Sequence, residues 1–124
     1  MIVTDPAQLQ ELSTVWRGAG HIAAAPAAIA LVVPVPPDKR RLVTDTYDIG
    51  QATMAMMIAA TDLGVGTGHS SVGDQDQARA ILGVPDDHQV AFLLGIGYPA
   101  DRPLTPIRQP NRRPFSEVVH HGRW

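Results

Sequence analysis

Between Leu63 and Asp74 the chain reads LGVGTGHSSVGD, which sets four glycines, a threonine, a histidine and two serines within twelve residues. Glycines let a ligand approach the backbone N–H groups, and Ser70 and Ser71 add small hydroxyl donors beside them. A dinucleotide-binding loop needs a strand before it, a helix after it and the spacing G-x-G-x-x-G. Gly64, Gly66 and Gly68 instead follow a long helical pattern, so that chemistry fails on context. A Walker loop fails because no Gly-Lys-Ser/Thr follows, and a serine-hydrolase elbow fails for want of G-x-S-x-G. A metal site built on His69 lacks a His, Asp or Glu at i+2 or i+4, and no metal is expected. From the residues alone, Gly64 reads as a left-handed helix C-cap and Val65 enters a short extended piece. The serines and Gly73 then turn into the next helix, leaving a polar, backbone-rich loop.

A second candidate for chemistry lies near the C-terminus. Arg102, Arg108, Arg112, Arg113 and Arg123 fall in a stretch poor in acids, although ten Lys plus Arg against twelve Asp plus Glu leave the whole chain at −2. That balance gives no general attraction to polyanions, so nucleic acid is not an expected partner, while a local anion site in the arginine-rich stretch stays open. Cysteine is absent, which rules out disulfides, zinc–thiolate sites and cysteine nucleophiles. The N-terminus shows no basic segment followed by an apolar one, and no apolar run is long enough for a bilayer, so the cytoplasm is the expected compartment.

The elements that must hold these residues fit one domain over residues 1–124. Ile2-Val3-Thr4 reads as the end of a strand. Asp5 and Pro6 then open a helix over 6–17 with Leu9, Leu12, Val15 and Trp16 at helical spacing, closed by Gly18 and Gly20. AAIALVV predicts a buried strand over 27–33, ended by Pro34, Pro36 and Pro37, with DKRR as a solvated turn behind it. Tyr47 to Leu63 predicts a helix apolar nearly all round, buried centrally or across a subunit interface. Asp74 caps a further helix from Gln77 to Leu82, and VAFLLGIGY over 90–98 reads as a second buried strand. Residues 100–124 are expected to form an extended arm with one helical turn at Ser116–Val119, wrapping a neighbouring subunit or lying loose. Mixed strands and helices point to an α+β or three-layer α/β/α sheet domain.

The ordered set D-x-G-x-A-x-x-x-M-x-x-A-A-x-x-L-G-V-G-T (Asp48–Thr67), I-L-G-V-P-D-D (Ile81–Asp87), L-G-I-G-Y-P (Leu94–Pro99) and R-R-P-F-S-E-V-V (Arg112–Val119) resembles the nitroreductase family of FMN-dependent oxidoreductases. No one motif is very specific; the case rests on four in the right order along the whole chain. The resemblance implies an α+β flavoprotein, commonly a homodimer with FMN at the subunit interface. It implies hydride transfer from NADH or NADPH to quinones, nitroaromatics or similar acceptors. By position, His69, Ser70, Ser71, Val72 and Gly73 would lie along the isoalloxazine, and Arg112, with Arg113 as the fallback, would bind the FMN phosphate. Deazaflavin in place of FMN stays open. His69 is the one candidate for a proton-transferring side chain. The dimer would form through the Asp48–Leu63 helix and the C-terminal arm. The family's usual first helix with an R-S-x-R clamp, and the loop after it, would lie ahead of Ile2, so a truncated member is expected. It would be either still catalytic, or non-catalytic: a flavin-binding or sequestering remnant, or a dimerisation partner of a full-length paralogue. An upstream start codon is the mundane alternative.

Overall fold

The computed structural model describes residues 1–100 and 109–124; Arg102 and Arg108 lie outside the described residues. Four strands, β1 (Ile2–Val3), β2 (Ala27–Pro34), β3 (Gly66–Ser71) and β4 (His88–Gly97), form one antiparallel sheet in the order β1-β2-β4-β3. The helices are α1 (Pro6–Leu12), α2 (Lys39–Asp62), α3 (Gln75–Leu82) and the short α4 (Phe115–Val118), with a 3₁₀ turn at Gly20–Ile22. The expected α+β architecture is present, with α1, the 3₁₀ turn and α3 on one face of the sheet and α2 against the other.

The core lies on the α1 side. Leu9, Leu12, Val15 and Ile22 close over Ala28 and Ala30 of β2 and Val90 and Leu93 of β4, all buried. Small residues at 19, 28, 30 and 78 let helix and sheet approach closely, and the large side chains fill the remaining space. Each fully buried Leu or Ile contributes about 1.5–3 kcal/mol of transfer free energy. Where Leu31 pairs with Phe92 and Val32 with Val90, Ala91 is the extra residue of a bulge. The Gln75 carboxamide compensates there, donating to the Val90 carbonyl (2.8 Å) and accepting from the Val90 N–H (3.0 Å). This ties the start of α3 to the central strand.

The structure departs from the sequence reading most in three respects. α1 stops at Leu12 instead of 17, because the Ser13 and Thr14 hydroxyls bond back to the carbonyls of Gln10 (2.6 Å) and Glu11 (2.7 Å) and the chain tightens into turns. α2 begins at Lys39 instead of Tyr47, so DKRR is its cap and first turn, not a solvated loop. Asp38 accepts from the Arg41 N–H (2.8 Å), and Arg41 pairs with Asp45 at i,i+4 (2.8 Å). That end is polar, so no apolar period announced it. The third difference is burial: within this chain only Thr53 of α2 is buried, which removes the central placement and leaves the helix face uncovered.

Candidate functional site

The stretch read as a polar loop is mostly a strand. Gly64 does take the left-handed conformation (φ 72°) behind α2, but β3 then runs six residues through both serines before the chain bends at Gly73. β3 is an edge strand, paired to β4 from Gly66↔Gly97 to Ser71↔Phe92. Strand alternation separates the candidate residues. Ser70 is buried on the α1 side, where its hydroxyl donates to the Ser71 carbonyl (3.0 Å). His69 faces α2, its ring 6.5 Å from Phe92 in an edge-on arrangement. Ser71 is exposed and Val72 packs against the core. Gly73 has a packing reason for lacking a side chain, since the Trp16 ring occupies the space a Cβ would need. The N–H groups of Gly73 and Asp74 both donate to the Val15 carbonyl (3.0 Å each), which anchors the bend.

Between α2 and the sheet lies a half-open cavity of about 220 Å³, lined by Gly50, Thr53, Met54, Met57, His69 and Phe92. A wider depression continues along α2 past Ile58 and Thr61 to Thr67 on β3. The cavity wall is almost wholly apolar, and its one polar peculiarity is Thr53: the hydroxyl oxygen is buried and has no hydrogen-bond partner among the described residues. An unpaired buried hydroxyl costs roughly 1–3 kcal/mol unless another molecule satisfies it. Thr53, Met54, Met57 and Phe92 were not singled out as site residues from the sequence. All but Phe92 sit inside the Asp48–Thr67 motif, and a small side chain at Gly50 followed by Thr53 at i+3 was the available signal.

Arg112 and Arg113 are exposed in the segment 109–124, and the structure does not bring them to β3 among the described residues. Arg113 pairs with Glu117 at i,i+4 (3.3 Å), and the Arg112 N–H donates to the Pro110 carbonyl (2.9 Å). The helical turn expected at 116–119 appears as α4, and every described residue of 109–124 is exposed. Charge is sparse near the cavity. The resolved pKa perturbation belongs to Asp87, at the opposite end of β4, where a hydrogen bond from the His88 ring (2.7 Å) holds the carboxyl below the ordinary carboxylate value. Among the described residues no group of three or more His, Cys, Asp or Glu could hold a metal ion, and no helix is long and apolar enough to cross a membrane.

A sequence model of the nitroreductase family matches residues 3–98. The chain belongs to that family. As a nitroreductase-family chain it superposes on an FMN-dependent nitroreductase from Clostridium difficile R20291 with a TM-score of 0.80 at 21% identity, covering 100% of this chain and 74% of that one. The NADPH:FMN oxidoreductase of Vibrio harveyi, solved in complex with NAD⁺, gives a TM-score of 0.81 at 20% identity, with 100% of this chain and 58% of that chain covered. The NfrA1 nitroreductase of B. subtilis gives 0.82 at 20%, with 99% and 56% covered. No curated protein matches the chain. The α+β fold of this nitroreductase-family chain is therefore the family's own.

The α2 face fits a flavin ring on its own evidence. An apolar wall with one aromatic edge, two polarisable thioethers and an orphaned hydroxyl suits a flat heteroaromatic group whose rim carries carbonyl acceptors. The edge strand adds backbone groups beside it.

Proposed function

We propose that this chain is the flavin-binding subunit of an NAD(P)H-dependent oxidoreductase. FMN would lie with its ring along His69, Ser70, Ser71, Val72 and Gly73 and its phosphate on Arg112, with Arg113 as the neighbouring alternative. The observation that carries the reading is the uncovered apolar face between α2 and β3 with the unpartnered Thr53 hydroxyl at its base. When bound, FMN supplies the redox chemistry, accepting a hydride from NADH or NADPH and delivering it with a proton to a quinone, nitroaromatic or similar electron-poor acceptor.

The chain's own residues would position and desolvate. Met54, Met57 and Phe92 would exclude water from one face of the ring, and the Thr53 hydroxyl would donate to a ring-rim oxygen. His69 is the one titratable side chain of the 69–73 stretch, and its imidazole would hold or pass the proton that accompanies the hydride. A guanidinium from Arg112 would offer a bidentate fork to the phosphate. The face of α2 left open by this chain would be covered by a second copy, with the C-terminal segment contributing to the contact.

Incubation with FMN followed by gel filtration is the direct test, run in parallel with a deazaflavin. The expected result is yellow protein that oxidises NADH or NADPH in the presence of a quinone. Arg112→Ala should raise the FMN Kd by roughly 10- to 150-fold, the equivalent of one charge-assisted contact of about 1.5–3 kcal/mol. Protein that stays colourless with both cofactors refutes the reading. Protein that is yellow but inert towards NADH and NADPH with every acceptor tried is the non-catalytic binder.

A further inference from the structure

His21 was not a candidate in the sequence, yet it meets the start of the candidate stretch from behind. Its Nε2 lies 2.9 Å from the Gly68 carbonyl oxygen and its Nδ1 3.2 Å from that of Gly18, a contact that joins residues 47 apart in the chain. Gly68 and Gly95 are cross-strand partners, and a Cβ at either would approach the imidazole Cδ2, to 2.9 Å at Gly68 and 3.3 Å at Gly95. The ring therefore lies against two paired glycines on the α1 side, while His69 projects from the opposite side. Both acceptors are carbonyls, and in the shorter contact Nε2 donates to the Gly68 oxygen.

We infer that His21 is a positioning residue for the stretch His69–Gly73: it fixes the Gly68 carbonyl and so the height at which that stretch meets a flavin ring. The inference rests on the flavin reading of the stretch. Among the described residues, His21 makes the one side-chain hydrogen bond that reaches Gly66–Ser71 from elsewhere in the chain. The far end of the stretch is held by Val15, whose carbonyl accepts from Gly73 and Asp74. Both ends are thus tied to the same short segment, 15–21, and a shift of the four residues 69–72 between them requires a tie to break. An edge strand has a partner on one side only, so this second hold matters more here than it would in a central strand.

His21→Phe keeps a ring over the glycines and removes the donor; His21→Gln keeps a donor and removes the ring. The expected result is an FMN Kd raised about three- to tenfold by His21→Phe and restored towards the parent value by His21→Gln, the size of one neutral hydrogen bond. In the protein without FMN, amide exchange at His69 and Ser70 should speed up by about the same factor in His21→Phe. Gly68→Ala, which pushes against the ring, should reproduce the loss, and His21→Ala/Gly68→Ala should be no worse than either single variant. Parent protein that binds FMN while His21→Phe binds it equally well overturns the inference. Unchanged exchange in His21→Phe overturns it too. A parent that binds no FMN refutes the flavin reading alone, and the exchange result then decides whether His21 grips the strand.

Discussion

On the α1 side of the sheet, Leu9, Leu12 and Ile22 cover Ala28, Val90 and Leu93 until nothing of them reaches solvent; on the other side, α2 packs on β3 and β4 and leaves Ile58 63% exposed and Met54 56% exposed. Both faces are apolar. The covered face alternates large with small side chains, so helix backbones come close and the gap fills. The open face carries long Met and Ile side chains on the Ile49–Ala60 part of α2, which has more apolar surface than one sheet can hide. The contrast teaches that this chain completes one core by itself and leaves an apolar face of α2 exposed.

The contrast breaks most sharply where the first core is opened. Leu93→Ala should destabilise the protein by roughly 2–5 kcal/mol in urea unfolding, because a fully buried leucine leaves a cavity that rigid strand neighbours cannot close. A loss under 1 kcal/mol would mean that the α1 side is loosely packed.

Ile58→Glu asks the converse question of the open face. At a truly solvent-facing site it should change stability by less than about 0.5 kcal/mol. If a second copy covers α2, the buried carboxylate should shift the sedimentation profile to the single-chain mass and cost about 2 kcal/mol or more of assembly. We expect the second outcome.

Asp74→Ala tests the joint between the faces. The Asp74 side chain accepts from the Gln77 N–H (2.9 Å) and caps α3 just where the candidate flavin stretch ends. Loss of the cap should cost about 1 kcal/mol in unfolding and loosen the bend at Gly73.

The smallest effect is expected at Asp87, which lies away from both faces. Its folded pKa is lowered, so the contribution is present above the unfolded value near 3.8 and is lost as pH falls through the folded value. Asp87→Asn should therefore leave stability at pH 7 almost unchanged, since the pair is exposed, and should flatten the acid side of the pH–stability curve slightly. A marked loss at neutral pH would show that the Asp87–His88 pair organises the start of β4.

Much of the α1 side was readable in advance. Asp5-Pro6 and Asp74 are local caps whose side chains act within three residues, and AAIALVV and VAFLLGIG are strand runs whose β-branched and leucine content needs no distant partner to interpret. The first eight residues of α2 escaped because their evidence is capping and an i,i+4 ion pair, not hydropathy. In the candidate site, the glycines and His69 stood out by composition, whereas His21, Thr53 and Phe92 did not. A lone histidine among alanines, a threonine inside a helix and a phenylalanine inside a strand carry no local sign of meeting. The order of four motifs identified the family, and the match to residues 3–98 established it.

What the sequence determined alone is most of the local elements, β3 and the start of α2 excepted, and the family, because caps, periodicity and motif order act over a few residues or along the chain itself. Tertiary structure decided which groups face one another. The pleat sends Ser70 into the core and His69 outward, Gly73 turns out to be small to admit Trp16, and the Gly68 carbonyl meets a ring from 47 residues away. Such pairings depend on strand register and on which face a helix covers, and those are settled only when the apolar surfaces of the whole chain compete for burial.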